Sequence, residues 1–440
     1  MVIASYLPNV RDQYEAYPFP KREPEDERRR LIQCELDMLG KINHFGFAGR
    51  QSFGPGFRAL VAGGGTGDAA IFLAEQLRRR GRAGRVTYVD ISQSSLDTAR
   101  KRAEVRGLTN IEWRHDSLLA LPDMGLEPFD YINCVGVLHH LADPDAGLRS
   151  LASVLKPDGC MGLMVYGRYG RTDIYEIQDL MRLALAGEPD LVHRVAAART
   201  VLERLPPNNI MMRGRDRAAA LRFFLDDEPN LVDALLHEQD RPYSVTEIYE
   251  FLAGAGLHLV DFTNYHSLNA VCRLEYGPAL YLAGLPVLER IRQMPLPVQQ
   301  TVAEIINGSM GLHTFFAAPR EDTRAVPEDD MVPFFLMDHA VEACTAAIEA
   351  PPGAIAVTLR LGLKIQLDLA PLTKAVLALV DGQTRLGLLF DRAAAHTSAP
   401  RAEVIAAFAR DFTTLSNLEW VLLRHKDARA VETLAKKYNN

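Results

Sequence analysis

Residues 60–68 read Leu-Val-Ala-Gly-Gly-Gly-Thr-Gly-Asp, so an apolar run ends in Gly63, Gly64, Gly65 and Gly67. Glycines at the mouth of a strand let a nucleotide-like cofactor reach the backbone, which side chains would block. A dinucleotide fingerprint needs glycine at its first, third and sixth positions. Counted from Gly63 the sixth is Asp68, which argues against NAD and FAD. Further on, Leu-His-His-Leu at 138–141 offers imidazoles, which change charge near neutral pH. His139 is the candidate general base and His140 is expected to face elsewhere; the alternative is that the pair only positions its loop. Tyr166-Gly-Arg168-Tyr169-Gly-Arg171 is rich in groups that hold anions or rings, and Arg241-Pro-Tyr243 offers a lid contact. Their plain alternatives are solvated arginines on a glycine turn and the start of a helix.

These groups need a scaffold, and its motifs follow in order. Strand Arg85–Asp90 ends in a carboxylate, strand Ile111–His115 leads to Asp116-Ser117, and Phe129–Val135 runs into the histidine loop. Leu155-Lys-Pro-Asp-Gly-Cys160 then precedes a strand from Met161 to Tyr166. From about Phe57 to Gly167 the chain resembles the class I S-adenosylmethionine-dependent methyltransferases, in which the glycine loop follows the first strand and an acid closes the second. The resemblance implies S-adenosylmethionine as cofactor. It implies Asp90, with Ile91 beside it, at the ribose, and Asp116 and Ser117 at the adenine. The family often has an acid two residues before the first glycine, where this chain has Val61. The methionine amine then needs Asp68 or backbone carbonyls around Gly63.

Methyl transfer is an in-line displacement in which approximation supplies most of the rate, and a base is needed only for an acceptor that must lose a proton. Tyr166, at the end of its strand, joins His139 as a catalytic candidate. The segment Gln13–Pro20 precedes the sheet, and its prolines predict a stiff, extended course. Tyr14 and Tyr17 there can cap the sulfonium through their ring faces, or simply pack. Arg168, Tyr169, Arg171 and Tyr243 are the candidates for holding the acceptor. No Asn/Asp-Pro-Pro-Tyr/Phe follows the fourth strand, where Asn133-Cys-Val-Gly136 stands instead. Methylation of exocyclic or amide nitrogens is therefore disfavoured.

Composition bounds the partners. Residues 351–440 hold 12 Lys and Arg against 8 Asp and Glu, a balance of +4, whereas residues 1–350 hold 37 against 48, a balance of −11. A nucleic-acid substrate asks for a basic face, so the acidic catalytic part disfavours RNA and DNA. No run is apolar enough to span a bilayer and no signal segment opens the chain, so a cytoplasmic protein is expected. Cys34, Cys134, Cys160, Cys272 and Cys344 form no Cys-x-x-Cys pair. Buried thiols, rather than a metal knuckle or disulfide framework, are expected.

Helical stretches at 68–81, 93–106 and 143–155 alternate with the strands, predicting a doubly wound α/β sheet of seven strands. Ser244 and Glu247 make a capping box before a sixth strand, His258–Phe262, and a last one, His313–Ala318, which the family resemblance makes antiparallel. The domain reading is an N-terminal cap segment at 1–56 and the sheet domain at 57–320 with helical insertions at 167–243 and 275–307. A connector at 321–352 and a small, mostly helical domain at 353–440 follow. That last part shows a hairpin near Ile355 to Leu369, helices at 371–380, 384–395 and 401–416, a strand Trp420–Leu423, and Thr384 as a helix cap. It weakly resembles the winged-helix modules that hold leader peptides in ribosomal-peptide maturation; a dimerisation or packing domain is the alternative. The leading acceptor is a protein or peptide side chain. The rivals are a small-molecule O- or N-methyltransferase and an adenosylmethionine-binding regulator without turnover.

Overall fold

In a computed structural model of the chain, residues 8–81, 84–213, 217–263, 272–351, 355–358 and 364–430 are described. Seven strands make one sheet in the order β3-β2-β1-β4-β5-β7-β6. They are β1 (Arg58–Ala62), β2 (Arg85–Asp90), β3 (Ile111–His115), β4 (Phe129–Val135), β5 (Leu155–Tyr166), β6 (His258–Phe262) and β7 (Leu312–Ala318). The first five run parallel, while β7 lies antiparallel between β5 and β6. This is the class I methyltransferase sheet. The chain reverses its direction of winding between β1 and β4, and open sheets bind ligands outside the carboxyl ends of their strands at such a point.

Alternation along β1 shows why the strand forms. Leu60 and Ala62 join one buried cluster with Ile132, Cys134 and Leu163, whereas Ala59 and Val61 join a second one with Phe45, Tyr88 and Tyr131. A strand buried on both faces reads as a continuous apolar run, as this one does. The crossover helices include Asp68–Arg79, Gln93–Arg106 and Pro144–Ser153, the second capped by Ser92, whose hydroxyl accepts from Ser95 N–H. Ser244 and Glu247 form the reciprocal capping box at helix Val245–Ala253.

The first insertion folds as helices Thr172–Ala184, Leu191–Arg204, Arg217–Leu225 and Glu228–Leu235 around a core of its own that includes Ile177, Leu202 and Leu231. The N-terminal segment departs from the expected course. Pro8–Ala16 is helical, with Pro8 as its first residue, where a fixed φ suits a helix start; the extended part begins only at the later prolines, Pro18 and Pro20.

Residues 321–352 are more than a connection. They contain β8 (Met331–Phe334), which pairs antiparallel with β11 (Leu422–His425), and helix Asp338–Glu349. The hairpin strands are β9 (Ile355–Thr358) and β10 (Lys364–Leu367), and residues 359–363 between them lie outside those described. Helices Pro371–Leu377, Leu386–Thr397 and Arg401–Asn417 enclose a further core with Trp420. Thr384 does not cap the middle helix. Its amide and hydroxyl both donate to Asp381, closing the turn, and Arg385 holds the cap position.

Several contacts join this part to the sheet domain, the following among them. His44 accepts from Leu423 N–H, His425 N–H donates to the Gly49 carbonyl, and buried Lys41 pairs with Glu419 and Glu35.

Candidate active site

The glycine loop is held open by its neighbours. Gly65 has φ of +51°, and a Cβ there would stand 2.5 Å from the Phe19 carbonyl oxygen. That carbonyl accepts from Thr66 N–H, and the Thr66 hydroxyl donates to the Pro20 carbonyl at 2.7 Å. The segment from Tyr14 to Arg22 is thus strapped over the loop. Beneath the strap lies a cavity of about 390 Å³. Its walls come from the ends of β1, β2, β4 and β5, the loop after β3, the strap and the first insertion.

Several acids line it. Asp90 accepts from Gly65 N–H and Ser92 N–H, each at 2.8 Å. Its remaining lone pairs are free for hydroxyl donors. Burial raises its pKa, against which those two amide bonds act. Asp116, exposed, accepts from Ser117 N–H. Asp68 is not available for an amine. Arg22 and Arg102 both grip it, at 2.6 Å, and although burial would raise its pKa they hold it below the ordinary value.

Glu35 is paired with Lys41 and Asp233 holds two tyrosines, which leaves Asp37. It is 1% exposed and lines the cavity beside Val61. Burial pushes its pKa up to about 8, while Tyr131 and Asn133, which donate to it, act the other way. A buried carboxyl of this kind pays a large desolvation cost unless a cation joins it. It faces the space that Val61 leaves without an acid. Gly65, Asp90 and Asp37 together fit adenosylmethionine, with room over the loop, acceptors at the ribose and a latent negative charge for the ammonium.

The other end of the cavity is a polar cluster that the first insertion brings in. Tyr14 donates to one oxygen of Asp233 at 2.9 Å and Tyr166 to the other at 3.1 Å. His237 Nε2 lies 3.3 Å from the Tyr14 oxygen. His140 stacks on His237 with ring centres 3.7 Å apart, and Tyr14, Tyr166, Asp233 and His140 all line the cavity. The histidine assignment is therefore corrected: His140 faces the cavity and His139 lies behind it. His139 is wholly buried against Tyr166 with neither ring nitrogen partnered, and burial holds its pKa far below the ordinary value, with His140 and Arg171 adding to the effect.

Several other candidates are placed away from the cavity. Arg168 is paired with Glu247 at 2.6 Å on the outer surface, and the half-buried Tyr169 begins the short turn Tyr169–Arg171. Arg171 lies over the outer face of Tyr166, 3.5 Å from its ring centre, so it packs that side chain from behind. Tyr243 is buried, and its backbone bridges Gly167. Tyr17 packs into the insertion core. Gly67, at φ of +102°, starts the helix after the loop. Gly63, Gly64, Asp68, Ile91 and Ser117 do line the cavity with the residues already placed.

Sequence reasoning missed Arg22, Asp37, His140, Asp233 and His237. An acid at Asp37 ahead of the sheet, in a chain whose first strand lacks one, was the available signal for the amine partner. No local pattern marks Asp233, because the insertion that carries it has no period tied to the sheet.

Residues 60–161 match the model of a family described as "Methyltransferase domain". An uncharacterized protein of Synechococcus is 32% identical over 262 residues, covering 57% of this chain and 58% of that protein. The tRNA 5-carboxymethoxyuridine methyltransferase of Escherichia coli is 36% identical over 114 residues, covering 26% of this chain and 41% of the enzyme. The chain thus spans little more than half the length of the first relative and less than half of the second. Among solved structures, PKMT2 from Rickettsia typhi in complex with AdoHcy superposes with a TM-score of 0.57 at 16% identity, covering 93% of this chain and 76% of that one.

Proposed function

The chain carries a class I S-adenosylmethionine-dependent methyltransferase domain, and on that premise we propose that it transfers a methyl group to a protein or peptide side chain. The observation that carries this reading is the size of the cavity. At about 390 Å³ it lies near the low end of small-molecule sites, which run from about 300 to 1,000 Å³. A cofactor as large as adenosylmethionine takes up most of such a volume. What remains suits the reacting end of a side chain better than a whole metabolite.

Bound adenosylmethionine supplies a methyl already activated by positive sulfur. The chain's own residues do the rest. Asp90 and the loop hold the ribose, Asp37 takes the ammonium, Arg22 stands where a carboxylate needs a cation, and the strap excludes water. Tyr14 and Tyr166, fixed by Asp233, hold their rings toward the reacting end. In this reading the C-terminal part contributes a surface for presenting the polypeptide. The balance of −11 over residues 1–350 speaks against a nucleic-acid acceptor, whatever the tRNA enzyme acts on. Among the described residues no helix is long and apolar enough to cross a membrane.

The test is to incubate cell extract with the purified protein and isotope-labelled adenosylmethionine, then separate protein-bound from low-molecular-weight label. Protein-bound label that depends on the added chain is expected. Label confined to small molecules would overturn the acceptor assignment, and no label at all would favour a regulator without turnover.

A further inference from the structure

We propose that His140 is the general base of this site and that the methyl acceptor therefore arrives carrying a proton, as an ammonium, an alcohol or a phenol; this rests on the methyltransferase reading. His140 Nδ1 stands 2.9 Å from the Gln239 carbonyl, which can only accept, so Nδ1 carries the hydrogen. Nε2 then holds a lone pair. It is buried and has no partner, although the residue lines the cavity. Buried imidazole nitrogens are normally satisfied, and one left open at a cofactor cavity has a use.

The neighbours are already committed. His237 Nδ1 accepts from Gln239 N–H at 3.1 Å, so the proton of the neutral ring lies on Nε2 and points to the Tyr14 oxygen. Tyr14 and Tyr166 each give their hydrogen to Asp233. Every hydrogen in this set is assigned, and of the two histidines left with an unpartnered ring nitrogen, His139 and His140, only His140 lines the cavity. The same accounting weighs against a cation shared by His140, Asp233 and His237, whose donor atoms lie within 4.8 Å of one another. His237 would have to coordinate through a nitrogen that bears a proton, and the two stacked rings lie at 21° to each other, so their lone pairs do not converge.

The step balances without a further reactant. An acceptor N–H or O–H gives its proton to Nε2, the freed lone pair forms a bond to the methyl carbon, and the carbon–sulfur bond breaks to leave neutral S-adenosylhomocysteine. The imidazolium returns its proton to water when product leaves. The charged and titratable groups facing His140 are His139 in its own turn, His237, Asp233 and Asp240 from the insertion, Tyr166 with Arg171 behind it, and Tyr14 from the strap.

Two measurements decide the matter. Imidazole nitrogen NMR of the full chain, with His140 assigned from His140→Gln, should show Nδ1 protonated and Nε2 bare at neutral pH; a protonated Nε2 overturns the proposal. With the acceptor that takes label from extract, His140→Gln should bind S-adenosylhomocysteine as tightly as the parent by calorimetry and lose at least about 100-fold in kcat. It should also lose the fall in rate on the acid side of the parent's profile. An unchanged pH–rate profile overturns the proposal. If extract yields no labelled acceptor, the methyltransferase reading fails instead, and the NMR result still stands on its own. Should His140→Gln fail to fold, His140→Asn takes its place in both arms.

Discussion

At the scale of single residues the most informative group is Asp37. Its carboxyl is lifted by burial to about 8, against an ordinary value of about 3.9. Between those limits the folded chain holds a proton that the unfolded chain has released. Its contribution to stability is therefore greatest below about pH 4 and is lost as pH rises to about 8. The urea midpoint of the ligand-free protein, taken relative to that of Asp37→Asn at pH 5 and at pH 8, should show that decline. An ammonium placed against Asp37 reverses the preference, so binding S-adenosylhomocysteine at pH 7 should expel a proton. Calorimetry in buffers of differing ionisation enthalpy reads this directly. Asp37→Asn should weaken binding by about 10- to 100-fold, the worth of a hydrogen bond to a charged group; binding heats that do not vary with buffer would remove Asp37 from the cofactor site.

Elements carry the next level, and the segment from Glu35 to Gly49 matters most. It supplies Glu35 and Asp37 to the cavity on one side and meets β11 on the other. His44 is buried there, with its pKa pushed down to about 3 by burial and then by Arg324. Its unfolded counterpart titrates near 6.5. The stability this contact contributes is present above about pH 6.5 and is lost as pH falls toward 3. Over that acid window the unfolding midpoint of the parent should fall relative to that of His44→Gln. Glu419 offers a second test. Lys41 is 2% exposed and depends on Glu419 at 2.5 Å and Glu35 at 3.2 Å. Leaving a buried charge without a partner costs about 3–5 kcal/mol; Glu35 stays on Lys41, so Glu419→Ala should destabilise by less than that in urea unfolding, although the substitution lies outside the cofactor cavity.

The elements also show what was legible in advance. Strands β2, β3, β4 and β6 follow from the sequence to the residue, because each is an apolar or alternating run bounded by turn residues or a charge. β8 did not show. Pro333 lies inside it and acidic residues precede it, which is the signature of a loop until β11 arrives to pair with it. The cofactor half of the cavity was readable because its residues follow their strands in order. The acceptor half was not, since Asp233 and His237 meet His140 only through packing of the insertion, and the choice between His139 and His140 turns on a few degrees of loop path.

For the whole molecule, the contacts of β11 change what truncation can mean. Deleting residues 351–440 removes the partner of β8, the cover of His44 and the second carboxylate on Lys41. The shortened chain should aggregate or fail to bind S-adenosylhomocysteine, as gel filtration and calorimetry would show. Loss of activity on deletion therefore does not demonstrate peptide presentation; substitutions on the outer face of helix Leu386–Thr397, such as exposed Leu388, would separate presentation from support. A truncated chain that still bound the ligand normally would show that this part is a passenger.

The brace from β11 to Gly49 and His44 also sets an order of events during synthesis. Most of the residues that line the cavity, the glycine loop among them, are made before this strand. The strand that fixes the wall behind them is among the last parts described. A nascent or broken chain thus has a loop that resembles a finished site and a wall that has not yet been set. Tight binding of S-adenosylhomocysteine is therefore expected only of chains translated through residue 425.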